Sequence, residues 1–439
     1  MMRVIILAAG EGKRLRPLTE KRPKHMIPIA GKPIIHQLID AFKTNGVYKF
    51  SIVVGHLREN IIQYLSDGKK FGIEIEYIYQ NKLHGTADAL AQTENKIEET
   101  RFLVCYGDMY VSSDAIREVI KAYDDKSFDA AVTIVPTKDQ KQYGIVQIDN
   151  GYVKTIVEKP KVVFPNSFAN TGIYLFERSI FKGIRKTKKS RRGELELTDS
   201  IMNLKESGFK IKSILIDSKS WIDIGLPWNL LDANKRALLN LRPNVDGEVD
   251  DNSTIRGIIH TGLATKILPG ACIEGPVYIG DNSVIGPNCH IRPYTSIGRN
   301  VKIGNSCEIK NSIIMDETKI PHLSYFGDSI IGERCNFGAG TITGNLRLDK
   351  QTVRMKIKNK FIDSARKKLG TVIGDDVETG INVNFMPGIT IGSGSNIGPG
   401  VNVSKNIPPN VKLVLKQNIH ITKMMVHPRR KSVTNGRNQ

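Results

Sequence analysis

The sequence has no long hydrophobic segment. Hydrophobic residues make up 40% of the chain, but no apolar run approaches the roughly 18 residues that a membrane-spanning helix needs. Near the start, the apolar stretch Val4–Ala9 is shorter than the hydrophobic region of a signal peptide and leads directly into a charged glycine loop. We therefore expect neither a membrane span nor a membrane partner.

Cysteine is scarce and odd in number. Five cysteines in 439 residues do not resemble the disulfide framework that stabilises small secreted domains. We therefore expect a protein of the reducing cytoplasm. Three of the five fall at a repeated small-residue position of the second half, so we expect no cysteine-ligated metal site; they are Cys289, Cys307 and Cys335.

Acidic residues are in short supply, with 44 Asp and Glu against 64 Lys and Arg. The formal charge of +20 lies entirely in three segments, 182–192, 351–370 and 411–439. Such an excess indicates an anionic partner: nucleic acid, a membrane surface or phosphorylated small molecules. Aromatic side chains that would stack on bases are nearly absent from the three segments. We therefore expect small anions as partners and no nucleic acid.

Residues 1–225 alternate between short β-branched runs and helical patterns, which predicts an α/β domain of Rossmann-like type with a mixed, mostly parallel sheet. The predicted strands are Val4–Leu7, Ser51–Val54, Ile73–Tyr79, Phe102–Val104 and Ala130–Val135. The predicted helices are Ile34–Asn45, Arg58–Leu65, Ala87–Glu98 and Ser113–Asp124. In such sheets ligands bind beyond the carboxyl ends of the strands, and the first such end leads into 10–14.

The second half has a period of six residues. Isoleucine occupies eight successive positions from Ile267 to Ile309, with Met315 next, and the period returns at Ile331 and Phe337. Hexapeptide periodicity is typical of an all-β parallel β-helix, in which each repeat forms one flat side of a coil. We divide the chain into 1–225, a connecting helix and linker 226–257, a β-helix 258–410 and a basic tail 411–439. Residues 344–370 break the period and are expected to form a loop.

A glycine turn with cations follows the first predicted strand. Gly10 and Gly12 allow backbone N–H groups to approach an anion, and Arg14 and Lys24 could hold phosphates. The turn is neither a Walker loop nor a dinucleotide fingerprint. Taken alone, it could equally be a solvated basic turn.

A series of motifs follows in order along residues 1–225. They are LAAGEGKRLxPLT at 7–19 with Pro23-Lys24, Gln80, HGTADA at 84–89, Gly107-Asp108, Tyr143-Gly144, Glu158-Lys159-Pro160, Asn170-Thr171-Gly172, RGELE at 192–196 and WIDIG at 221–225. These nine motifs make the segment resemble the sugar-1-phosphate nucleotidylyltransferases, most closely the glucose-1-phosphate thymidylyltransferase branch. One departure is Lys13, where bacterial relatives usually carry Thr or Ser.

This resemblance implies that a sugar-1-phosphate oxygen attacks the α-phosphorus of a nucleoside triphosphate and expels pyrophosphate. Arg14 and Lys24 would be catalytic, and Asp108 and Asp223 would hold Mg²⁺. The implied nucleotide-binding residues are Leu7, Ala9, Gly10, Gly12, Gln80, Gly85 and Thr86. The implied residues for the sugar are Gly144, Glu158 and Asn170, and those for its phosphate are Lys159 and Arg192.

The period of six is interrupted at 321–328 and resumes through 336–345. The segments HLSYxGD and NxGAGT found there resemble the acetyltransferase half of the bifunctional enzymes that make UDP-N-acetylglucosamine. The resemblance implies that His322 is a general base for an amino group attacking acetyl-CoA, with Asn336 orienting the reacting groups. It implies sugar-phosphate contacts for Arg292, Lys310 and Tyr325, and acetyl-CoA contacts for Ala339, Gly340 and Asn345.

Two details of this second site are more specific. Arg292 and Lys310 are eighteen residues apart, so they should stack about 4.8 Å apart on neighbouring coils, and an anion should lie between these two cations. The segment Gly374-Asp375-Asp376 resembles the CoA wall of the family loosely. We also expect the basic segments 351–370 and 411–439 to help capture CoA.

Together, the two resemblances identify the chain as an archaeal-type bifunctional sugar-1-phosphate nucleotidylyltransferase/acetyltransferase. They imply acetyl-CoA as a co-substrate, a left-handed β-helix and a homotrimer with acetyl sites between subunits. The alternative is a non-catalytic assembly or regulatory subunit, because some of these combine the same two folds. The presence of the catalytic pattern, including Asp108, Asp223 and His322, favours the enzyme. The choice between dTTP and UTP, and between glucose, N-acetylglucosamine and galactosamine sugars, stays open.

Overall fold

A computed structural model describes residues 2–137 and 139–424. Its first part is built on a nine-stranded sheet with helices on both faces. In order across the sheet, the strands are Glu74–Tyr79, Lys49–Val54, Arg3–Ala8, Arg101–Tyr106, Ser167–Glu177, Ala130–Pro136, Ile211–Leu215, Tyr152–Glu158 and Gly144–Asp149. The α-helices are Ile34–Lys43, Arg58–Leu65, Thr86–Ala91, Ser113–Lys121, Ile180–Arg185, Leu197–Glu206 and Pro227–Leu239.

The sheet is mixed, and seven of its nine strands run in the same direction, which agrees with the expectation of a mostly parallel sheet. The four strands from 74–79 to 101–106 are parallel, whereas 167–177 runs antiparallel to both of its main neighbours. The hairpin 144–158 adds a further antiparallel pair. Its two-residue turn, Asn150-Gly151, has positive φ at both residues, which is the conformation that asparagine and glycine adopt most readily in hairpins.

The predicted helix Ala87–Glu98 is shorter than expected, because the α-helix ends at Ala91. The Thr93 hydroxyl donates to the carbonyl oxygen of Leu90 at 2.7 Å, and such a local side-chain bond competes with continued helix. The other predicted strands and helices of this part lie where the sequence places them, within a few residues at their ends.

The second part is a parallel β-helix with three faces. One face consists of Asn244–Val245, Ile259–Thr261, Val277–Ile279, Thr295–Ile297, Ile313–Ile314, Ile330–Ile331, Val372–Ile373 and Thr390–Ile391. The second consists of Glu248–Val249, Lys266–Ile267, Val284–Ile285, Lys302–Asn305 and Lys319–His322, and then Glu378–Thr379, Asn396–Ile397 and Lys412–Leu413. The third consists of Thr254–Arg256, Cys272–Glu274, His290–Ile291, Glu308–Lys310, Tyr325–Gly327, Ile342–Thr343, Asn384–Phe385 and Asn402–Val403.

The isoleucine column fills the centre of this β-helix, as the period predicts. Ile291 pairs with Ile309, eighteen residues later, but Ile297 pairs with Ile314, only seventeen residues later. The expectation that Met315 belongs to the isoleucine column is therefore wrong. One repeat is a residue short, so Ile314 points into the column and Met315 packs outward in a separate cluster.

The β-helix also begins earlier than the boundary at 258 that the sequence indicates. Asn244–Val245 and Glu248–Val249 already pair with strands one coil later. Glycine and proline around these strands resemble a linker, but within a coil they form its corners. The loop at 344–370 contains a hairpin of Arg354–Ile357 and Lys360–Asp363.

The two parts are joined by a shared hydrophobic cluster and by buried polar contacts. Leu18 and Leu230 of the first part pack with Met315 and Met355 of the second. The Arg22 guanidinium donates to both oxygens of the buried Asp375 carboxylate at 3.0 Å. The side chains of Asp375 and Asp376 therefore pair with Arg22 and Lys21 of the first part, which corrects the expected place of the Gly374-Asp375-Asp376 segment in a CoA wall.

None of the helices within residues 2–137 and 139–424 has the length and hydrophobicity needed to span a bilayer.

Candidate active sites

A cavity of about 620 Å³ opens beyond the carboxyl ends of the parallel strands of the first part. The chain enters it directly after Ala8, Tyr79 and Tyr106, the last residues of three strands. All sixteen residues that are predicted from the sequence to act in nucleotidyl transfer line this cavity. They are Leu7, Ala9, Gly10, Gly12, Arg14, Lys24, Gln80, Gly85, Thr86, Asp108, Gly144, Glu158, Lys159, Asn170, Arg192 and Asp223.

The glycine loop folds tightly around Lys24. Gly12 has φ +65, and a Cβ atom there would lie 3.0 Å from Cβ of Lys24, so a side chain at this position would be strained and crowded. The Thr19 hydroxyl donates to the carbonyl oxygen of Gly12 at 3.0 Å. At Gly10, a Cβ atom would lie 3.8 Å from Nζ of Lys24. The loop thus presents backbone and one ammonium group to the same part of the cavity.

Asp108 and Asp223 are brought together by a small two-stranded sheet. Asp223 pairs with Met109, and the amide of Ile224 donates to the carbonyl oxygen of Asp108 at 3.0 Å. Asp108 forms a salt bridge with Lys24. Burial raises the pKa of Asp108, but the charge and hydrogen bond of Lys24 outweigh it, so the net effect is a lowered pKa.

The pKa of Asp223 is shifted in the opposite direction. Burial and the neighbouring charge of Asp108 raise the pKa of its carboxyl group, and the opposing charges of Arg14 and Lys24 do not compensate for them. Two buried carboxylates that repel each other form an all-oxygen donor pair that a hard divalent cation would stabilise. The residues therefore fit the Mg²⁺ ion that the sequence implies.

Gln80, Gly85 and Thr86 form the side of the cavity next to helix 86–91. The buried Gln80 amide nitrogen donates to the carbonyl oxygen of Gly85 at 3.1 Å and to Asp88 Oδ2 at 2.7 Å. The Thr86 hydroxyl accepts from the amide of Leu197 at 3.0 Å, so Thr86 also joins two helices. A Cβ atom on Gly85 would lie 2.5 Å from the carbonyl oxygen of Leu195.

Another part of the cavity holds an acid next to two cations. Glu158 Oε1 lies 3.7 Å from Lys159 Nζ and 3.5 Å from Arg192 Nη1. Burial nevertheless raises the pKa of Glu158 above its ordinary value. Beside it, the Asn170 amide nitrogen donates to the Tyr174 hydroxyl at 2.7 Å. Carboxylate, amide and cations together could bind a hydroxylated, phosphorylated ligand.

Sequence reasoning missed several residues that line this cavity. Tyr143 and Trp221 belong to motifs that the sequence matched, but no role was assigned to them; they pack edge to face with ring centroids 5.6 Å apart. Lys358 is different, because it comes from the tip of the hairpin in the β-helix. No local signal in the sequence links it to the glycine loop, and the sequence assigned its segment to CoA capture instead.

The residues predicted for acetyl transfer lie on the outer surface of the β-helix. His322 and Asn336 are exposed, whereas Arg292, Lys310 and Tyr325 are half-buried. The amide of Gly340, next to Ala339, donates to the carbonyl oxygen of His322 at 3.4 Å, so these segments stack on neighbouring coils. Asn336 pairs through its backbone with Lys319, at the start of the strand that ends at His322.

The third face carries the predicted sugar-phosphate residues. Ile291 pairs with Ile309, which confirms that Arg292 and Lys310 stack on neighbouring coils. A bound anion is not required to offset their repulsion, because each cation has its own carboxylate, and the sugar-phosphate contact stays a prediction. Arg292 Nη1 lies 2.8 Å from Glu308 Oε1, and Lys310 Nζ lies 3.4 Å from Asp328 Oδ2.

Asn345 links the remaining predicted residue to the same network. Its amide nitrogen donates to the Tyr325 hydroxyl at 3.0 Å and to Asp328 Oδ2 at 2.6 Å. Burial raises the pKa of Tyr325, so its hydroxyl stays neutral and can donate to an anionic ligand.

A different group of potential metal ligands lies on the third face, on coils that precede Arg292 in the chain. The ligand atoms of Cys272, Glu274 and His290 all lie within 4.8 Å of one another, and all three residues are half-buried. His290 Nε2 is 3.4 Å from Glu274 Oε2. The three cysteines at corner positions, Cys289, Cys307 and Cys335, are buried and unpaired.

The fold and the first cavity define a nucleotidyltransferase joined to a hexapeptide-repeat β-helix. The chain matches the model of the nucleotidyl transferase family over residues 3–239. It matches the bacterial transferase hexapeptide model over 370–405 and the GMPPB C-terminal domain model over 273–385.

Relatives that match nearly the whole chain give the particular family. The bifunctional protein GlmU of Methanococcus maripaludis is 42% identical over 424 residues, which cover 96% of this chain and 99% of the relative. The bifunctional sugar-1-phosphate nucleotidylyltransferase/acetyltransferase of Sulfurisphaera tokodaii is 41% identical over 92% of this chain and 98% of its own. The chain therefore belongs to this family of bifunctional nucleotidylyltransferase/acetyltransferase enzymes.

A solved structure resembles the first part alone. A putative glucose-1-phosphate thymidylyltransferase from Bacillus anthracis, solved in complex with sucrose, superposes with a TM-score of 0.51 and 31% sequence identity. The match covers 56% of this chain and 98% of that one. It supports the resemblance of residues 1–225 to that branch.

Proposed function

We propose that the first cavity transfers a nucleotidyl group from dTTP or UTP to a sugar-1-phosphate, glucose-1-phosphate or N-acetylglucosamine-1-phosphate, and releases pyrophosphate. The observation that carries this proposal is the convergence of all sixteen predicted residues on one cavity. The sugar phosphate oxygen attacks the α-phosphorus, and the bond from that phosphorus to the bridging oxygen of the pyrophosphate breaks. Catalysis then consists of positioning and of stabilising negative charge.

Different residues of the cavity neutralise the phosphates and hold the metal. Arg14 and Lys24 neutralise the phosphates, and the amides of the Gly10–Gly12 loop approach them closely. Asp108 and Asp223 would hold Mg²⁺, which when bound supplies Lewis-acid stabilisation of the phosphate charge. Without the metal, Lys24 balances the charge of Asp108.

The two substrates contact different residues of the cavity. Gln80 and the Gly85 backbone read the pyrimidine, because Asp88 and Gly85 fix the Gln80 amide in place. Gly144, Glu158 and Asn170 bind the sugar, and Lys159 and Arg192 bind its phosphate. The exposed Arg192 is free to exchange a carboxylate partner for a phosphate.

We propose that the β-helix acetylates an amino-sugar-1-phosphate, such as glucosamine-1-phosphate or galactosamine-1-phosphate, with acetyl-CoA. The amino nitrogen attacks the thioester carbon, His322 accepts the proton from nitrogen, and the carbon–sulfur bond breaks as His322 returns that proton to the sulfur, so CoA leaves as the thiol. Tyr325, Arg292 and Lys310 bind the sugar phosphate, while Asn336 orients the reacting groups. The segment Ala339–Gly340 and Asn345 contact acetyl-CoA. The product belongs to UDP-N-acetylglucosamine-type synthesis.

Three further points complete the proposal. The coil is left-handed, as the resemblance implies. The chain assembles as a homotrimer, because the acetyl-transfer residues lie on an open face that a neighbouring subunit would cover. The five cysteines are all unpaired, which supports a cytoplasmic location. A non-catalytic regulatory subunit is disfavoured, because binding alone would not need two mutually repelling buried carboxylates at the phosphate end of the cavity.

Variants that should each lose one activity and keep the other test both assignments. We expect Asp108→Asn and Asp223→Asn to lower pyrophosphate release at least about a hundredfold, while thiol release from acetyl-CoA stays unchanged. His322→Ala should abolish thiol release and spare pyrophosphate release. Chelation with EDTA should stop only the first reaction, and Mg²⁺ should restore it. Loss of both activities in each variant, or of neither, would count against the assignment.

The substrates are identified by a matrix assay. Each nucleoside triphosphate is combined with each sugar-1-phosphate, with and without acetyl-CoA, and the product masses are measured. Failure of every combination would reject the proposed reaction at the first site.

A further inference from the structure

The hairpin of the β-helix reaches across to the nucleotidyl-transfer cavity. Its strands are Arg354–Ile357 and Lys360–Asp363, and Lys358 and Asn359 form the turn with φ of +47 and +62. Among the described residues that line the 620 Å³ cavity, Lys358 alone comes from beyond residue 225. It shares this cavity with Lys13 and Arg14 of the glycine loop.

Packing fixes the hairpin in this position. Met355 and Ile357 are buried in the cluster that includes Leu15 and Leu18 of the glycine-loop segment. At the base of the hairpin, Arg366 pairs with Asp232 of the connecting helix. The tip is therefore held by the first part of the molecule and does not depend on the acetyl-transfer surface.

A second cavity of about 480 Å³ adjoins the first, since Lys13, Arg14 and Lys358 line both. Five cations line the second cavity, and they are Lys13, Arg14, Arg16, Lys356 and Lys358. Its one acid is Glu20, whose carboxylate accepts from the amide of Ser393 at 3.0 Å.

Four of these cations have no acidic partner. Lys13 pairs with Glu11. Arg14, Arg16, Lys356 and Lys358 form no ion pair with any carboxylate within residues 2–137 and 139–424. Like charges gathered in a concave, partly enclosed space raise the local potential and attract a compact polyanion. A ligand with several phosphate oxygens would satisfy more than one of them.

We propose that Lys358, with Lys356 and Arg16, forms a binding site for the pyrophosphate group, either as the β- and γ-phosphates of the bound nucleotide or as the released product. This proposal rests on the nucleotidyl transfer proposed above. The second cavity is lined by Lys13 and Arg14 of the glycine loop and by none of the residues assigned to the sugar, so an anion bound there would lie beside the proposed phosphate-binding residues. The hexapeptide-repeat part thereby contributes a residue to the reaction of the other part.

The test compares Lys358→Ala, Lys358→Glu and the Lys356→Ala/Lys358→Ala pair with the wild type. Lys360→Ala is the matched control, because Lys360 is an exposed lysine of the same hairpin that lines neither cavity. Calorimetry measures binding of inorganic pyrophosphate to the full-length chain. We expect the pyrophosphate Kd to rise about five- to tenfold in Lys358→Ala and more in Lys358→Glu, with a difference that shrinks at high salt.

Kinetics distinguish the two sources of the phosphate group. A rise in the nucleotide KM together with the pyrophosphate Kd assigns the site to the bound triphosphate. A rise in the pyrophosphate Kd alone, with weaker product inhibition, assigns it to the released product. Lys360→Ala should stay within about twofold of the wild type in both measurements, as is usual for a surface substitution away from a site.

An unchanged pyrophosphate Kd in the double variant would overturn the proposal. Thermal melting and acetyl transfer show in the same samples that each variant is folded. If the wild type released no pyrophosphate from any nucleotide, the proposed reaction would fail, whereas pyrophosphate calorimetry would still decide whether the cation site exists.

Discussion

At the scale of single residues, the first site depends on close approaches that only small residues allow. Gly144 begins the strand 144–149 and faces Glu158 across the hairpin. A Cβ atom at this position would lie 2.8 Å from Oε2 of Glu158. Because that atom is the end of a flexible side chain, the carboxylate would move and the backbone would not.

We therefore expect Gly144→Ala to impair sugar binding more than stability. The displaced Glu158 loses its position, so the KM for the sugar-1-phosphate should rise about tenfold, the usual effect of losing a hydrogen bond to a charged group. The free energy of unfolding should change by less than about 1 kcal/mol. Gln147→Ala, on the same strand but outside the cavity, is the control. A changed nucleotide KM with an unchanged sugar KM would contradict this assignment of Glu158.

At the scale of elements, the segment after the glycine loop is anchored to the β-helix. Arg22 donates to Asp375 and lies 2.8 Å from Glu333. Arg22 and Asp375 are 7% and 1% exposed, whereas the adjacent Lys21 is exposed in its pair with Asp376. The same two elements thus carry one buried and one solvated ion pair.

We expect Arg22→Ala to destabilise the chain by about 3–5 kcal/mol, because it leaves the Asp375 carboxylate buried without a cation. Lys21→Ala should cost less than about 1 kcal/mol, because water screens its pair. Urea unfolding followed by fluorescence measures both. Equal losses in the two variants would show that the Arg22 contact does not hold the parts together.

The β-helix shows how local sequence can mislead by one residue. The shortened repeat before Ile314 leaves the period visible on both sides, so counting by six selects Met315. The structure places Ile314 in the column because each coil must pair in register with the one before it. Backbone pairing therefore overrides the count of six.

At the scale of the whole molecule, the three basic segments have different surroundings. Segment 182–192 ends at Arg192 in the first cavity, and the tip of 351–370 reaches the same cavity. That tip does not flank the acetyl-transfer surface, contrary to expectation. In the tail, Lys412 belongs to a strand of the β-helix and Lys416 and Lys423 are exposed, while residues 425–439 lie outside the described part.

The tail therefore stays the candidate for CoA capture. Truncation after Leu415 retains the strand Lys412–Leu413 and removes the remaining bases. We expect it to raise the acetyl-CoA KM in a salt-sensitive way, because CoA carries several phosphate charges, and to leave the nucleotide KM unchanged. Sedimentation should give a trimer for both lengths, with three chains of 48.9 kDa for the full-length protein. If the acetyl-CoA KM of the truncated chain is unchanged at low salt, the tail is only a solvated extension and does not bind CoA.

The sequence by itself determined the two architectures and nearly all of the first site. Several of its motifs lie at the ends of parallel strands, which bring their carboxyl ends to one edge, so residues as far apart as Arg14 and Asp108 had to meet. The period of six similarly determined a β-helix with an isoleucine centre, since only residues on one side of each repeat can be buried.

Only the tertiary structure decided how the two parts meet. It placed Lys358 beside the glycine loop, and it turned Asp375 away from a CoA wall toward Arg22. These contacts join segments that are more than 300 residues apart, and they depend on the shape and charge of two finished surfaces. Neither surface exists until its own part has folded, so no local period or motif could have indicated them.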